Sequence, residues 1–273
     1  MMNKVLDNKL TIRRILVLLI LYILSGSTYI TLISSSERIA AAGIILMSPV
    51  IVSTIRRNVS GPAFCRGLLA YGFAAFVIGI GIINKDNMGS YFRTSLIFLF
   101  AFYITQEFTF SDFRKIFTKF ITTMCVVDTS IYFVLQRVGQ FSFLPIAYNS
   151  NGEGYRIGVI FNYLLSHPER NSGIYWEPGL FATMIILSFV MDLTFEKEVP
   201  FWRALIYHIC IFTTASSAGI VLILFCDLLL LNRFMDSISN KKVLKYCVFF
   251  IVYMLLLLLF VNLDTFLTLT GLA

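Results

Sequence analysis

The chain predicts an all-α, polytopic integral membrane protein: about nine transmembrane helices in a single domain over residues 1–273, with one large extracytoplasmic loop at 139–177. Three observations carry this fold class. Hydrophobic residues make up 58% of the chain and charged ones only 14%, more apolar surface than a soluble domain of this size can hide. Several apolar runs reach the roughly 18 residues that mark a membrane span. The basic residues gather in the links between those runs, the pattern that sets membrane topology.

The spans fall near 15–33, 39–55, 67–83, 94–108, 120–138, 178–195, 201–215, 217–231 and 246–264. The first follows Lys4, Lys9, Arg13 and Arg14 and lacks a small-residue cleavage site leading into a soluble domain, so it reads as a retained span. A cytoplasmic N-terminus puts 16 of the 22 basic residues inside and leaves Arg38, Lys85, Arg93, Arg137, Arg156 and Arg170 outside. Between Ala204 and Leu231 the apolar run is broken only by Thr213-Thr214-Ala215-Ser216-Ser217-Ala218-Gly219. A single helix there would send Arg233 and Lys241 outside. Two shorter helices meeting at the Ser/Thr cluster keep them in the cytoplasm, so two are expected, their junction below the outer surface.

The net charge of +7 belongs to this topology and not to nucleic-acid binding. Cys65, Cys125, Cys210, Cys226 and Cys247 lie in or beside apolar runs without pairing or metal-ligand spacing, and read as small packing residues. No metal-ligand cluster, nucleotide-binding loop or Ser-His-Asp spacing appears, which argues against zinc and ATP-driven chemistry; no cofactor is expected.

Chemistry concentrates at one seam. Arg170-Asn171-Ser172-Gly173-Ile174-Tyr175-Trp176-Glu177-Pro178-Gly179 carries the long loop into an apolar helix. A loop of that length between compact elements is more often functional than accidental. Arg170 and Arg156 offer planar, permanently charged donors suited to phosphate or sugar hydroxyls. Glu177 offers a base or a hydroxyl anchor, and Tyr175 and Trp176 offer rings for a sugar face. Pro178 fits the first position of a helix. The helix that starts there and the one starting near Ser216-Ser217 would aim two N-termini at one outer cavity, an anion site rich in N–H groups.

Plainer roles exist for each residue. Glu177 can cap its helix, the aromatic pair can belong to an interfacial belt, and Ser216, Ser217 and Gly219 can let helices pack closely. His167, before Pro168, reads as a loop base or a solvated histidine, and His208 as a structural residue without an evident partner. Asp128, mid-span, reads as part of a proton pathway, as the partner of an arginine on another helix, or as one of the polar residues of an interior face with Thr123, Thr129 and Ser130. Asp227 is a weaker case, nearer the cytoplasmic end.

The Arg170–Gly179 segment, an apolar span and then Thr213–Gly219 together resemble the Wzy-type O-antigen and capsular polysaccharide polymerases. In that family an Arg-x-x-Gly-aromatic-aromatic-Glu-Pro-Gly segment enters a membrane helix, and a Thr/Ser-rich, Gly-containing junction follows one helix later. The match covers about Arg170–Leu231; elsewhere only general topology agrees.

The resemblance implies a glycosyltransferase of the bacterial plasma (inner) membrane that works at the outer leaflet. It would transfer a growing glycan from undecaprenyl diphosphate to the next lipid-linked oligosaccharide, without nucleotide sugar or ATP. Arg170 and Glu177 match the motif's charged positions and are the expected catalytic residues. Arg156, His167, Tyr175, Trp176, Ser216 and Ser217 are the expected substrate-binding ones. A lipid-linked sugar flippase and a chain-length regulator are the implied protein partners. Family members usually carry further spans and a second arginine-bearing loop, so a chain ending at Ala273 reads as a C-terminally truncated member lacking part of the site. The competing functions are a flippase or transporter of lipid-linked oligosaccharide, which should spread charge over several helices at the midplane, and an O-antigen ligase.

Overall fold

The structure, a computed structural model, describes residues 34–56, 61–85, 88–138, 141–149, 152–158, 161–196 and 199–238. The described chain is mostly helical. Its elements in order are α1 (Ser36–Arg56), α2 (Gly61–Asn84), α3 (Met88–Glu107), α4 (Phe110–Val138), β1 (Ile146–Tyr148), β2 (Gly154–Ile157), β3 (Asn162–Leu164), α5 (Pro178–Phe195), α6 (Phe201–Thr214) and α7 (Ser217–Ile238). Among the described residues three helices are long and apolar enough to cross a membrane, over Phe64–Asn84, Phe110–Arg137 and Pro178–Phe195. The expected spans at 15–33 and 246–264 lie outside the described residues.

Two compact units divide the chain, one reaching Ile116 with residues 147–152, the other holding the remainder. In the first, α3 packs on both α1 and α2. Ile39, Ala40, Leu96, Phe100, Tyr103, Ile104 and Phe108 form its buried core. Two glycines let α2 and α3 approach: a Cβ on Gly67 would stand 3.1 Å from the Phe102 ring, and one on Gly81 would stand 2.7 Å from that of Tyr91. Polar pins complete the contact, with Ser95 Oγ donating to the Ala74 carbonyl at 2.9 Å and the Tyr71 and Tyr103 hydroxyls 2.8 Å apart. The outer face of α2 leaves Phe64, Leu68, Leu69, Phe76 and Ile83 exposed. An apolar patch of that extent would be a liability in water and is ordinary against lipid.

In the second unit α5, α6 and α7 pack against one another around Phe181, Ile185, Phe189, Tyr207, Ile211 and Ile223, all fully buried. Gly219 makes the α5–α7 crossing possible, since its missing Cβ would lie 2.7 Å from the Cβ of Ala182. The two-helix expectation for 201–231 agrees with the structure. α6 stops at Thr214, Ala215 turns left-handed at φ 48, and α7 begins at Ser217.

Two expectations need correction. The helix at 120–138 starts ten residues earlier, at Phe110, so Arg114, Lys115 and Lys119 lie on α4 and not in a loop after the fourth span. The cause is local. Thr109 Oγ1 accepts from the Asp112 N–H at 3.2 Å and donates to the Asp112 carboxylate at 2.9 Å, an N-cap that starts the helix ahead of its apolar stretch. The all-α expectation also misses three short strands between α4 and α5. β2 and β3 pair antiparallel, with Tyr155 opposite Leu164, Arg156 opposite Tyr163 and Ile157 opposite Asn162.

Candidate functional site

The Arg170–Gly179 segment is held at two points. On one side the Asn162 N–H of β3 donates to the Gly173 carbonyl at 2.8 Å, and Ser172 Oγ donates to the Asn162 carbonyl at 3.0 Å. On the other, the Asn171 N–H donates to the Thr213 carbonyl at 2.8 Å and Asn171 Nδ2 donates to Thr213 Oγ1 at 3.0 Å. Asn171 Oδ1 also takes the Gly173 N–H at 3.0 Å, closing a tight turn around Gly173 at φ 57. The loop motif is thus tied to the end of α6 by a buried asparagine.

Arg170 follows the same course. Its Nε donates to the Thr214 carbonyl at 3.4 Å and Nη2 to the Ala215 carbonyl at 3.5 Å. These are long bonds to carbonyls that the end of α6 leaves without an intrahelical partner, where a cation also answers the helix dipole.

The two helix starts meet here. Glu177 is the N-cap residue of α5 with Pro178 following it, but its side chain makes no capping bond and is exposed. The capping role open to Glu177 in the sequence is therefore not used. Ser216 caps α7 instead, its Oγ accepting from the Gly219 N–H at 3.3 Å. Glu177 Oε1 and Ser216 Oγ stand 3.7 and 3.8 Å from the point where a Cβ on Gly179 would be. A free carboxylate, a capping hydroxyl and two sets of helix-start N–H groups thus lie within a few ångströms, with Arg170 bonded to the residues just before Ser216. The arrangement can bind an anion and accept a proton beside it.

The other expected site residues are distributed differently. Tyr175 is 0% exposed and stacks on Phe181 with ring centroids 5.5 Å apart. A ring without an accessible face has none to offer a sugar. Trp176 is half-buried and Ser217 exposed. Arg156 spends Nη1 on the carbonyls of Ser142 and Leu144, at 2.7 and 2.5 Å, bracing the loop. His167 is exposed and pairs with Glu169, Nδ1 to Oε1 at 3.0 Å.

Beside Arg170 lies a small, part-open cleft of about 10 Å³, room for about one water molecule. Its walls include Asp128, Tyr132, Phe161, Asn162, Tyr163 and Arg170. Burial pushes the Tyr163 phenol above its ordinary range, so it presents a neutral hydroxyl. Asp128 is 2% exposed, and neither carboxylate oxygen finds a hydrogen-bond partner among the described residues. Among the described residues no arginine pairs with it.

Two ionic pairs also escape sequence inspection. Asp192 on α5, 0% exposed, accepts from Arg203 Nη1 and from the Tyr207 hydroxyl, each at 3.2 Å. His208 on α6 is not partnerless: Nε2 faces the Asp227 carboxylate of α7 at 2.9 Å, while Nδ1 donates to the Ala204 carbonyl at 2.7 Å. The i, i+4 spacing of His208 to Ala204 was visible in the sequence; the pairing across helices was not. Among the described residues no group of three His, Cys, Asp or Glu is placed to hold a metal ion.

No protein-family model matches the sequence, and no curated protein or solved structure matches it.

Proposed function

We propose that this protein is a polysaccharide repeat-unit polymerase of the bacterial plasma membrane. It transfers a growing glycan from undecaprenyl diphosphate to the next lipid-linked oligosaccharide at the outer leaflet, within the nine-span topology expected from the sequence. The observation that carries the proposal is the meeting of Arg170, Glu177 and Ser216 at the starts of α5 and α7. In the reaction the acceptor sugar hydroxyl attacks the anomeric carbon of the lipid-linked glycan. The bond from that carbon to the diphosphate oxygen breaks, and undecaprenyl diphosphate leaves. Glu177 takes the hydroxyl proton. Arg170 and the helix-start N–H groups meet the charge that grows on the leaving diphosphate, where preorganised donors lower a barrier most.

A second reading has its own support. Asp128, the Asp192–Arg203 pair and the His208–Asp227 pair spread buried or half-buried ionisable groups over α4, α5, α6 and α7. Such groups inside apolar helices often mark a transport path, so a flippase for lipid-linked oligosaccharide stands as the alternative.

The test is the full chain in liposomes with lipid-linked repeat units from its host, read as a ladder of lengthening glycans on a gel. A ladder lost in both Glu177→Gln and Arg170→Ala, with the proteins still folded, supports the polymerase. Lipid-linked sugar crossing the bilayer without any ladder overturns it in favour of the flippase.

A further inference from the structure

We propose that the turn after α4 is a lipid anchor: Phe143 and Ile146 enter the outer-leaflet surface and hold the Arg170–Gly179 segment at headgroup depth. The proposal rests on the membrane topology expected from the sequence and not on the polymerase chemistry.

The backbone of the turn carries it. The Phe141 carbonyl accepts from the Leu144 N–H and the Pro145 carbonyl from the Ile157 N–H, each at 3.0 Å. The carbonyls of Ser142 and Leu144 both accept from Arg156 Nη1. The turn's carbonyls are thus satisfied from within the protein. A loop in water has no need of this, because water supplies the partners. A segment that enters lipid must bring its own.

The side chains agree. Phe143 stands at the bend and is 79% exposed, and Ile146 is also exposed. Phe141 backs the turn, its ring 5.5 Å from that of Phe143 and 6.0 Å from that of Phe161. Residues 138–152 include no Lys, Arg, Asp or Glu. A patch that docks a protein usually has a polar rim, whereas aromatic side chains on an uncharged segment suit the edge of a bilayer. The chain enters the turn directly from the end of α4, where Phe133 and Val134 are already exposed. The apolar surface of the span therefore runs on into the turn.

The strands connect this anchor to the motif. Ile157, which holds Pro145, lies opposite Asn162 in the β2–β3 pair. The Asn162 N–H in turn donates to the Gly173 carbonyl at 2.8 Å. The depth of Phe143 thereby sets the depth of the segment that carries Arg170 and Glu177.

The test uses the full chain in liposomes and single-tryptophan proteins. Trp176→Phe/Trp202→Phe receives Phe143→Trp, Ile146→Trp or Ser166→Trp, the last an exposed position in the same loop. Trp176→Phe alone keeps Trp202, exposed at the start of α6, as the reference for lipid contact. The quenchers are phospholipid brominated on its acyl chains near the headgroup, and iodide on both sides of the membrane. The indoles of Phe143→Trp and Ile146→Trp should lose emission to brominated lipid as strongly as Trp202 and be shielded from iodide. Ser166→Trp should show the reverse. Quenching of the first two by iodide and not by brominated lipid overturns the anchor, because the turn then lies in water. Shielding from both quenchers also overturns it, because a protein partner or a second copy then covers the turn.

Discussion

Asn171 and Thr213 are bonded twice, main chain to main chain at 2.8 Å and amide to hydroxyl at 3.0 Å, and through them the loop motif travels with the end of α6. Truncating Asn171 to alanine strips a donor from Thr213 Oγ1 and an acceptor from the Gly173 N–H at once. Both groups are buried, so the expected loss is about 1–3 kcal/mol. Thr213→Ala should cost less, since Asn171 Oδ1 keeps Gly173. A double-mutant cycle on thermal unfolding in detergent should return a coupling of about 0.5–3 kcal/mol. Simple additivity would mean that the amide–hydroxyl bond contributes nothing.

Gly173 and Gly152 share a left-handed backbone but not their surroundings. A Cβ on Gly173 meets Asp128 Oδ2 and the Phe181 ring, each at 2.9 Å, whereas nothing lies within 4 Å of one on Gly152, φ 81. Gly152→Ala should therefore carry only the backbone cost, about 1 kcal/mol. Gly173→Ala adds overpacking, for a total of about 2–4 kcal/mol. Unfolding midpoints of the two variants check this, and equal shifts would show that the Gly173 turn yields without strain.

Gly219 is the close-packing residue of the α5–α7 contact. Alanine at this position would put its Cβ 2.7 Å from that of Ala182, with Ser216 Oγ at 3.4 Å. Gly219→Ala should then lower stability by about 1–3 kcal/mol despite alanine's better helix propensity. Ala182→Gly should recover part of that loss in the double variant. A stabilised Gly219→Ala protein would mean that the helices separate freely at this crossing.

Much of this frame is legible in the sequence. Pro178 marks the start of α5, and the small polar residues 213–219 mark the break between α6 and α7. Both are local signals, set by a ring that removes an N–H and by side chains that compete for backbone bonds. The early start of α4 is also local, but Thr109 and Asp112 sit ahead of an amphipathic, charged stretch that a search for apolar runs passes over. The strands are short and hold through cross-strand pairing such as that of β2 with β3, which apolar periodicity does not report. The site divides in the same way. The segment holding Arg170 and Glu177 stands out by composition. That Tyr175 faces the core while Trp176 stays half-buried depends on tertiary packing. Partners such as Asp192 with Arg203, or His208 with Asp227, depend on how helices pack, which one sequence does not contain.

The Asp192 network shows what such a partner is worth. Asp192 Oδ2 takes hydrogen bonds from Arg203 and Tyr207, and the Tyr207 hydroxyl is also 2.8 Å from both Ser188 Oγ and Thr122 Oγ1. Arg203→Met keeps the length of the side chain but leaves the carboxylate without its counter-charge. Removing one partner of a fully buried pair costs about 3–5 kcal/mol. Here the Arg203 side chain is 26% exposed, so water can replace part of what is lost and about 2 kcal/mol is expected. Tyr207→Phe takes away one further donor and should cost about 1–2 kcal/mol. Adding Asp192→Leu to Arg203→Met removes the stranded charge and should restore most of the stability, because an ion pair exchanged whole for apolar side chains is often neutral. Unfolding of the three proteins in detergent decides the matter. A double variant no more stable than Arg203→Met would show that Asp192 serves α5 through its packing and not through its charge.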